Sequence, residues 1–329
     1  MDRRSFLRKA SAVPAVGLSA AVSGCVGDAG GGTEDDGPSG VSESDGSISE
    51  LSFYSPASQV PSDGASINKV VVVRAEETAA SIDTTDSDPH MYEEGDEPPL
   101  VSEDGGVVGF GSTELVGDSN GGFEHGNEEF LLNVWDSKVK GETVLWDEGH
   151  DQYWSLDRYE IFHEYAEGEG YDLRATRDIA SDTGDAAGIV VTSPSEPFTD
   201  DELEALRGFL EEGGAVFLFD QSDHQGHDET GNLNRIAEAL SLDFRFNSDQ
   251  INDDEKNTGA NFIPLTSNFD ASHGYFANRE SSIQPENVSI EKGETYEVEV
   301  TAVTDGDTID VSFGPGAVDT VRLLGIDSS

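Results

Sequence analysis

Apolar runs of strand length alternate with amphipathic stretches through the middle of the chain. Residues 67–74 (I-N-K-V-V-V-V-R), 105–115 (G-G-V-V-G-F-G-S-T-E-L), 143–147 (T-V-L-W-D), 188–192 (G-I-V-V-T) and 215–220 (A-V-F-L-F-D) each predict a strand, and 242–246 a short one. Between them the spacing turns helical. Phe130, Leu131 and Val134 share one face of a helix over 127–134. Leu156, Tyr159, Phe162 and Tyr165 share the face of a second, which Ser155 caps and which ends near Gly168 and Gly170. Thr199-Asp200-Asp201-Glu202 is a capping box with Phe198 and Leu203 placed to staple it; that helix runs through Leu210 and stops at Gly213-Gly214. Residues 233–240 predict one more helix. Strands that are apolar throughout and alternate with helices predict an α/β fold, a parallel sheet with helices on both faces.

This block spans 51–270. Residues 26–50 are almost wholly Gly, Ser, Asp and Glu and predict a disordered tether, because nothing in them offsets the entropy of ordering. Residues 84–97 read as an acidic loop, and 271–294 as a polar linker. The pattern changes again over 295–329. Asp305-Gly306 is a tight-turn dipeptide; residues 308–313 alternate apolar and polar positions; Gly314-Pro315-Gly316 turns the chain; residues 318–326 form a further strand. Three strands joined by tight turns look like the opening of a small Greek-key barrel. Asp307 follows the first turn and Asp327 ends the last strand, so two carboxylates can converge on one hard cation such as calcium. Arg322, on the same strand as Asp327, carries the fork that grips a phosphate.

D-G-D-T-I followed by V-R-L-L-G-I-D resembles the staphylococcal-nuclease (thermonuclease) family of OB-barrel phosphodiesterases. The resemblance implies calcium as cofactor, Asp307 and Asp327 as its ligands, Arg322 as the catalytic group that stabilises charge on the phosphate, and DNA or RNA as partner. That family continues as T-P-E, its Glu being the general base, and supplies a second Arg later. These residues end at Ser329, so the expectation is an incomplete OB-type β-barrel over 295–329 that is weak or inactive as a nuclease.

Charge changes the picture. The 329 residues hold 68 Asp and Glu against 18 Lys and Arg, a net charge of -50. Such a surface excludes ordinary basic-patch binding of nucleic acid and suits molar salt, where the Debye length is about 3 Å. The scarce cations cluster at the start. Arg3 and Arg4 open a segment resembling a twin-arginine export signal, and V-S-G-C ending at Cys25 resembles a lipobox. Residues 1–25 thus predict export and a lipid anchor through Cys25 on the extracellular face of the cell membrane. Cys25 is the single cysteine, so no intramolecular disulfide forms.

The strand-helix segments of 51–270 resemble the class I glutamine-amidotransferase-like (flavodoxin-like) superfold in its non-catalytic branch. No Cys follows the strand at 215–220, where that family's nucleophile stands, so glutamine hydrolysis is not implied. Ligands of open α/β sheets bind outside the carboxyl ends of the strands. Glu148, His150, Asp151 and Gln152 follow one strand, Ser193 another, and Gln221, Asp223, His224 and His227 a third; His150, Asp151, Asp223, His224 and His227 are the candidate ligand-binding residues for a metal or a sugar. Three readings result: an exported, lipid-anchored protein of the calcium-dependent nuclease family; a non-catalytic cell-surface binding protein using the α/β domain; and a metal hydrolase centred on His150, His224 and His227.

Overall fold

The structure is a computed structural model. It describes residues 47–84, 88–118, 121–222 and 230–279 with side chains, and 299–303, 308–314 and 317–322 as backbone. Seven strands make the central sheet: β1 (Val71–Arg74), β2 (Pro99–Asp104), β3 (Val107–Phe110), β4 (Thr143–Asp147), β5 (Asp172–Thr176), β6 (Gly188–Thr192) and β7 (Ala215–Phe219). They lie in the order β1-β2-β3-β7-β6-β4-β5. β3, β7, β6, β4 and β5 run parallel. β2 is antiparallel to both β1 and β3.

The fold is therefore α/β, with a mixed rather than purely parallel sheet. The cause is local. Gly105 and Gly106 alone join β2 to β3, and Gly105 takes a φ of 63°. A two-residue turn with positive φ can only fold the chain back on itself.

Alternation along the buried strands loads both faces. Ala215, Phe217 and Phe219 of β7 join one core with Val144 and Trp146; Val216 and Leu218 join the other with Leu145, Ile189 and Val191. Helices α1 (Asn127–Lys138) and α2 (Glu160–Gly168) add Phe130, Leu131, Val134, Trp135 and Phe162 to the first core. Helices α3 (Asp200–Glu211) and α4 (Thr230–Ala239) add Leu203, Leu206, Phe209, Leu233 and Ile236 to the second.

The capping box of α3 forms as expected: Thr199 accepts from the Glu202 amide at 3.3 Å, and Glu202 accepts from the Thr199 amide at 2.7 Å. The start of α2 differs from expectation. Ser155 turns its hydroxyl to Asp157, and residues 156–159 form a 3-10 turn. Asp118, far upstream, caps α2 instead, accepting from the amides of Glu160 (2.9 Å) and Ile161 (3.0 Å). Burial lifts the Asp118 carboxyl above its ordinary range, although these two amides oppose the rise.

The packed unit reaches past 51–270 at both ends. Ser47 pairs antiparallel with Ala277, and the Ile48 amide donates to the Phe276 carbonyl at 2.8 Å. Tyr275 and Phe276 are buried. Arg279 clamps this segment down through Asp136 (2.5 Å) and Glu169 (2.7 Å). Further along, β8 (Glu299–Val303), β9 (Thr308–Gly314) and β10 (Ala317–Arg322) form an antiparallel meander in that order. Its register sets Thr308 opposite Arg322.

Candidate functional site

The carboxyl ends of β3, β4, β6 and β7 open on polar residues, and the chain turns sharply there. Ser55, Asp151 and Ser193 all adopt positive φ, of 44°, 50° and 33°, which non-glycine residues rarely do. Ser193 follows β6 and donates its amide to the Phe219 carbonyl at 2.8 Å; Ser55 meets the end of β7 through its carbonyl, which accepts from the Ser222 amide at 3.0 Å. The Ser55 and Ser222 hydroxyl groups also lie 2.6 Å apart.

The loop after β4 is held by a chain of hydrogen bonds. Gly149 sits so close to β5 that a Cβ there would lie 2.9 Å from the Arg177 carbonyl oxygen, so a side chain is excluded. Asp147, fully buried, accepts from the Gly149 amide at 3.1 Å and from Gln152 Nε2 at 2.8 Å. Gln152 Oε1 in turn accepts from the His150 amide at 2.9 Å. His150 Nδ1 lies 2.8 Å from Asp147 Oδ2, and its Nε2 lies 3.4 Å from Glu202 Oε2. The ring stacks on Phe198, with centroids 3.7 Å apart and planes 8° from parallel. Burial works against a charged ring here, but Asp147 and Glu202 outweigh it and hold His150 above its ordinary 6.5. Glu202 moves the other way: burial would raise it, yet Thr199 and His150 bring it below the usual carboxylate range.

With a carboxylate near each nitrogen, the charged form of His150 is favoured, and both ring nitrogens are engaged. It ties the β4 loop to the start of α3.

The loop continues into two aromatics. Trp154 is anchored twice: its carbonyl accepts from Thr192 Oγ1 (2.7 Å) and Trp146 Nε1 (3.2 Å), and its own Nε1 donates to Gln221 Oε1 at 2.8 Å. Thr113 Oγ1 also donates to that oxygen, at 3.2 Å. Gln221, just past β7, is thus fixed by residues from two other elements. The sheet brings together His150, Asp151 and Gln221 of the polar residues the sequence points to. Asp223, His224 and His227 lie outside the described residues, as do Arg3, Arg4, Cys25, Asp307 and Asp327. Arg322 closes β10 in the backbone.

Asp147 and Glu202 were hidden in the sequence because one reads as a strand end and the other as a capping residue. Among the described residues, no group of three or more His, Cys, Asp or Glu is placed to hold a metal. No helix among them is long and apolar enough to cross a membrane.

An α/β unit whose polar strand ends face one edge is the class these features define. Residues 159–321 match the model of DUF4350, a domain of unknown function. That match joins the second half of the α/β unit to the C-terminal meander. No curated protein matches the chain. A solved structure, IMPa from Pseudomonas aeruginosa in complex with an O-glycopeptide, is similar over 64% of this chain at 11% identity, with a TM-score of 0.33. The match takes in 21% of that longer chain.

Proposed function

We propose that the chain is an exported, lipid-anchored protein of the calcium-dependent phosphodiester-cleaving class, with a non-hydrolytic α/β companion domain. In this reading residues 295–329 begin an OB-type barrel, and the α/β unit is of the glutamine-amidotransferase-like or flavodoxin-like kind. The supporting observation is the register of β9 and β10. Arg322 is the Cα partner of Thr308, and Thr308 directly follows Asp307 in the sequence. Asp327 comes after β10 in the sequence.

Two carboxylates and a guanidinium fit a hard cation beside a phosphate; calcium bound there would polarise the phosphate oxygen. Arg322 would hold that phosphate in line. Calcium-dependent binding is the readout that bears on these residues directly. Titrating the full chain at molar salt with a short single-stranded oligonucleotide tests this. Binding that needs calcium and is lost in Arg322→Gln supports it; binding indifferent to calcium and to Arg322 refutes it.

A second reading is favoured by the locked strand ends. His150 has no free nitrogen, and Gln221 occupies the edge beyond β7 with its oxygen fixed. Such an edge recognises a ligand without hydrolysing it, and the protein would then act as a surface binding protein.

A further inference from the structure

Arg174, Arg207, Arg235 and Arg279 each form ion pairs, and Arg74 and Arg245 donate to backbone carbonyls. Arg158 forms no ion pair among the described residues. Its guanidinium instead lies 3.7 Å from the Tyr153 ring centroid and 5.8 Å from that of Trp154. Tyr153 is 63% exposed, more than any other large apolar side chain described.

This pair stands on the edge where parallel sheets bind ligands, between two fixed points. On one side Gln152 is tied to Asp147; on the other Trp154 is tied to Thr192, Trp146 and Gln221. Arg177, exposed and also without an ion pair among the described residues, follows β5 beside Gly149 of the same loop.

From this geometry we infer that Tyr153 and Arg158 form a binding platform for an anionic sugar, a uronate or similar acid. The inference rests on the second reading above, in which this edge is a ligand face. The face of Tyr153 away from Arg158 stacks on one ring of an acidic oligosaccharide. The guanidinium, polarised over the tyrosine and lacking a competing carboxylate, takes the acid group of a neighbouring ring with two parallel hydrogen bonds. One exposed aromatic with one face free suits a single ring. A nucleic-acid strand calls for successive platforms and a cationic groove, which the -50 charge denies it. Bidentate bonding, unlike long-range attraction, survives molar salt.

The test is calorimetric titration of the full chain at molar salt with trigalacturonate, maltotriose and a thymidine oligonucleotide, with intrinsic tryptophan emission followed in parallel. Trigalacturonate is expected to bind at least about tenfold more tightly than maltotriose. Arg158→Gln should weaken the uronate about tenfold and leave the neutral sugar unchanged. Tyr153→Ala should abolish both. Both residues are exposed, and circular dichroism checks that the variants fold. Equal binding of the two sugars with no effect of Arg158→Gln overturns the inference and leaves the ligand face standing. So does binding of the oligonucleotide alone when it shifts the emission and is lost in Tyr153→Ala. No binding of any probe overturns both.

Discussion

At the scale of single residues, His150 carries the electrostatics of the α/β unit. Its ring is buried against Phe198, and both nitrogens face carboxylates, which favour the charged form that burial alone would disfavour. A folded pKa above 6.5 means that the folded state binds the proton more tightly than the unfolded chain does. The stabilisation is then complete below pH 6.5 and fades as pH rises through the folded value. His150→Gln is expected to cost about 1–3 kcal/mol at pH 6, a typical value for hydrogen bonds to a charged group. That difference from the unsubstituted protein should shrink at pH 9. Urea unfolding at fixed molar salt checks it; a difference that is constant with pH would show that the ring is neutral.

At the scale of elements, what was legible was what is encoded locally. The α3 cap was readable because Thr199, Glu202 and their spacing contain the whole motif. Strands β4, β6 and β7 were readable because they are buried on both faces. β5 was not: it is the edge strand, only Leu173 and Thr176 are buried, and D-L-R-A-T carries little apolar signal. β2 was masked by its leading Pro99, a position at which proline costs the ladder nothing.

The α2 cap failed for a different reason. Its partner Asp118 is remote in sequence, and no local pattern shows a contact made by folding. The candidate site divides the same way: His150 and Gln221 stood out by their place after strands, whereas Glu202 reached His150 only through the packing of α3. Replacing Asp118 with Ala leaves the amides of Glu160 and Ile161 without their acceptor, so α2 should fray. The expected loss is about 1–2 kcal/mol, as for other caps. Hydrogen exchange should accelerate at residues 160–161 while β7 keeps its protection; unchanged exchange there would mean that the cap is not used.

At the scale of the whole molecule, the -50 charge sets the conditions under which everything else operates. Self-repulsion among carboxylates opposes compaction when the Debye length is long, and molar salt removes it. The melting temperature is expected to fall steadily as salt drops from molar to about 0.1 M, where the Debye length is about 10 Å. Differential scanning fluorimetry reads this directly, and a melting point independent of salt would contradict it.

The same acidity makes calcium the ion on which the account turns, because a built site must stand out above weak attraction to a sea of carboxylates. The most direct measurement is calorimetric titration of the full chain with calcium at molar sodium chloride, which suppresses diffuse binding. One saturable site is expected, which Asp307→Asn and Asp327→Asn each abolish while the melting temperature without calcium is unchanged. Absence of a saturable site, or a site that survives both substitutions, would contradict it.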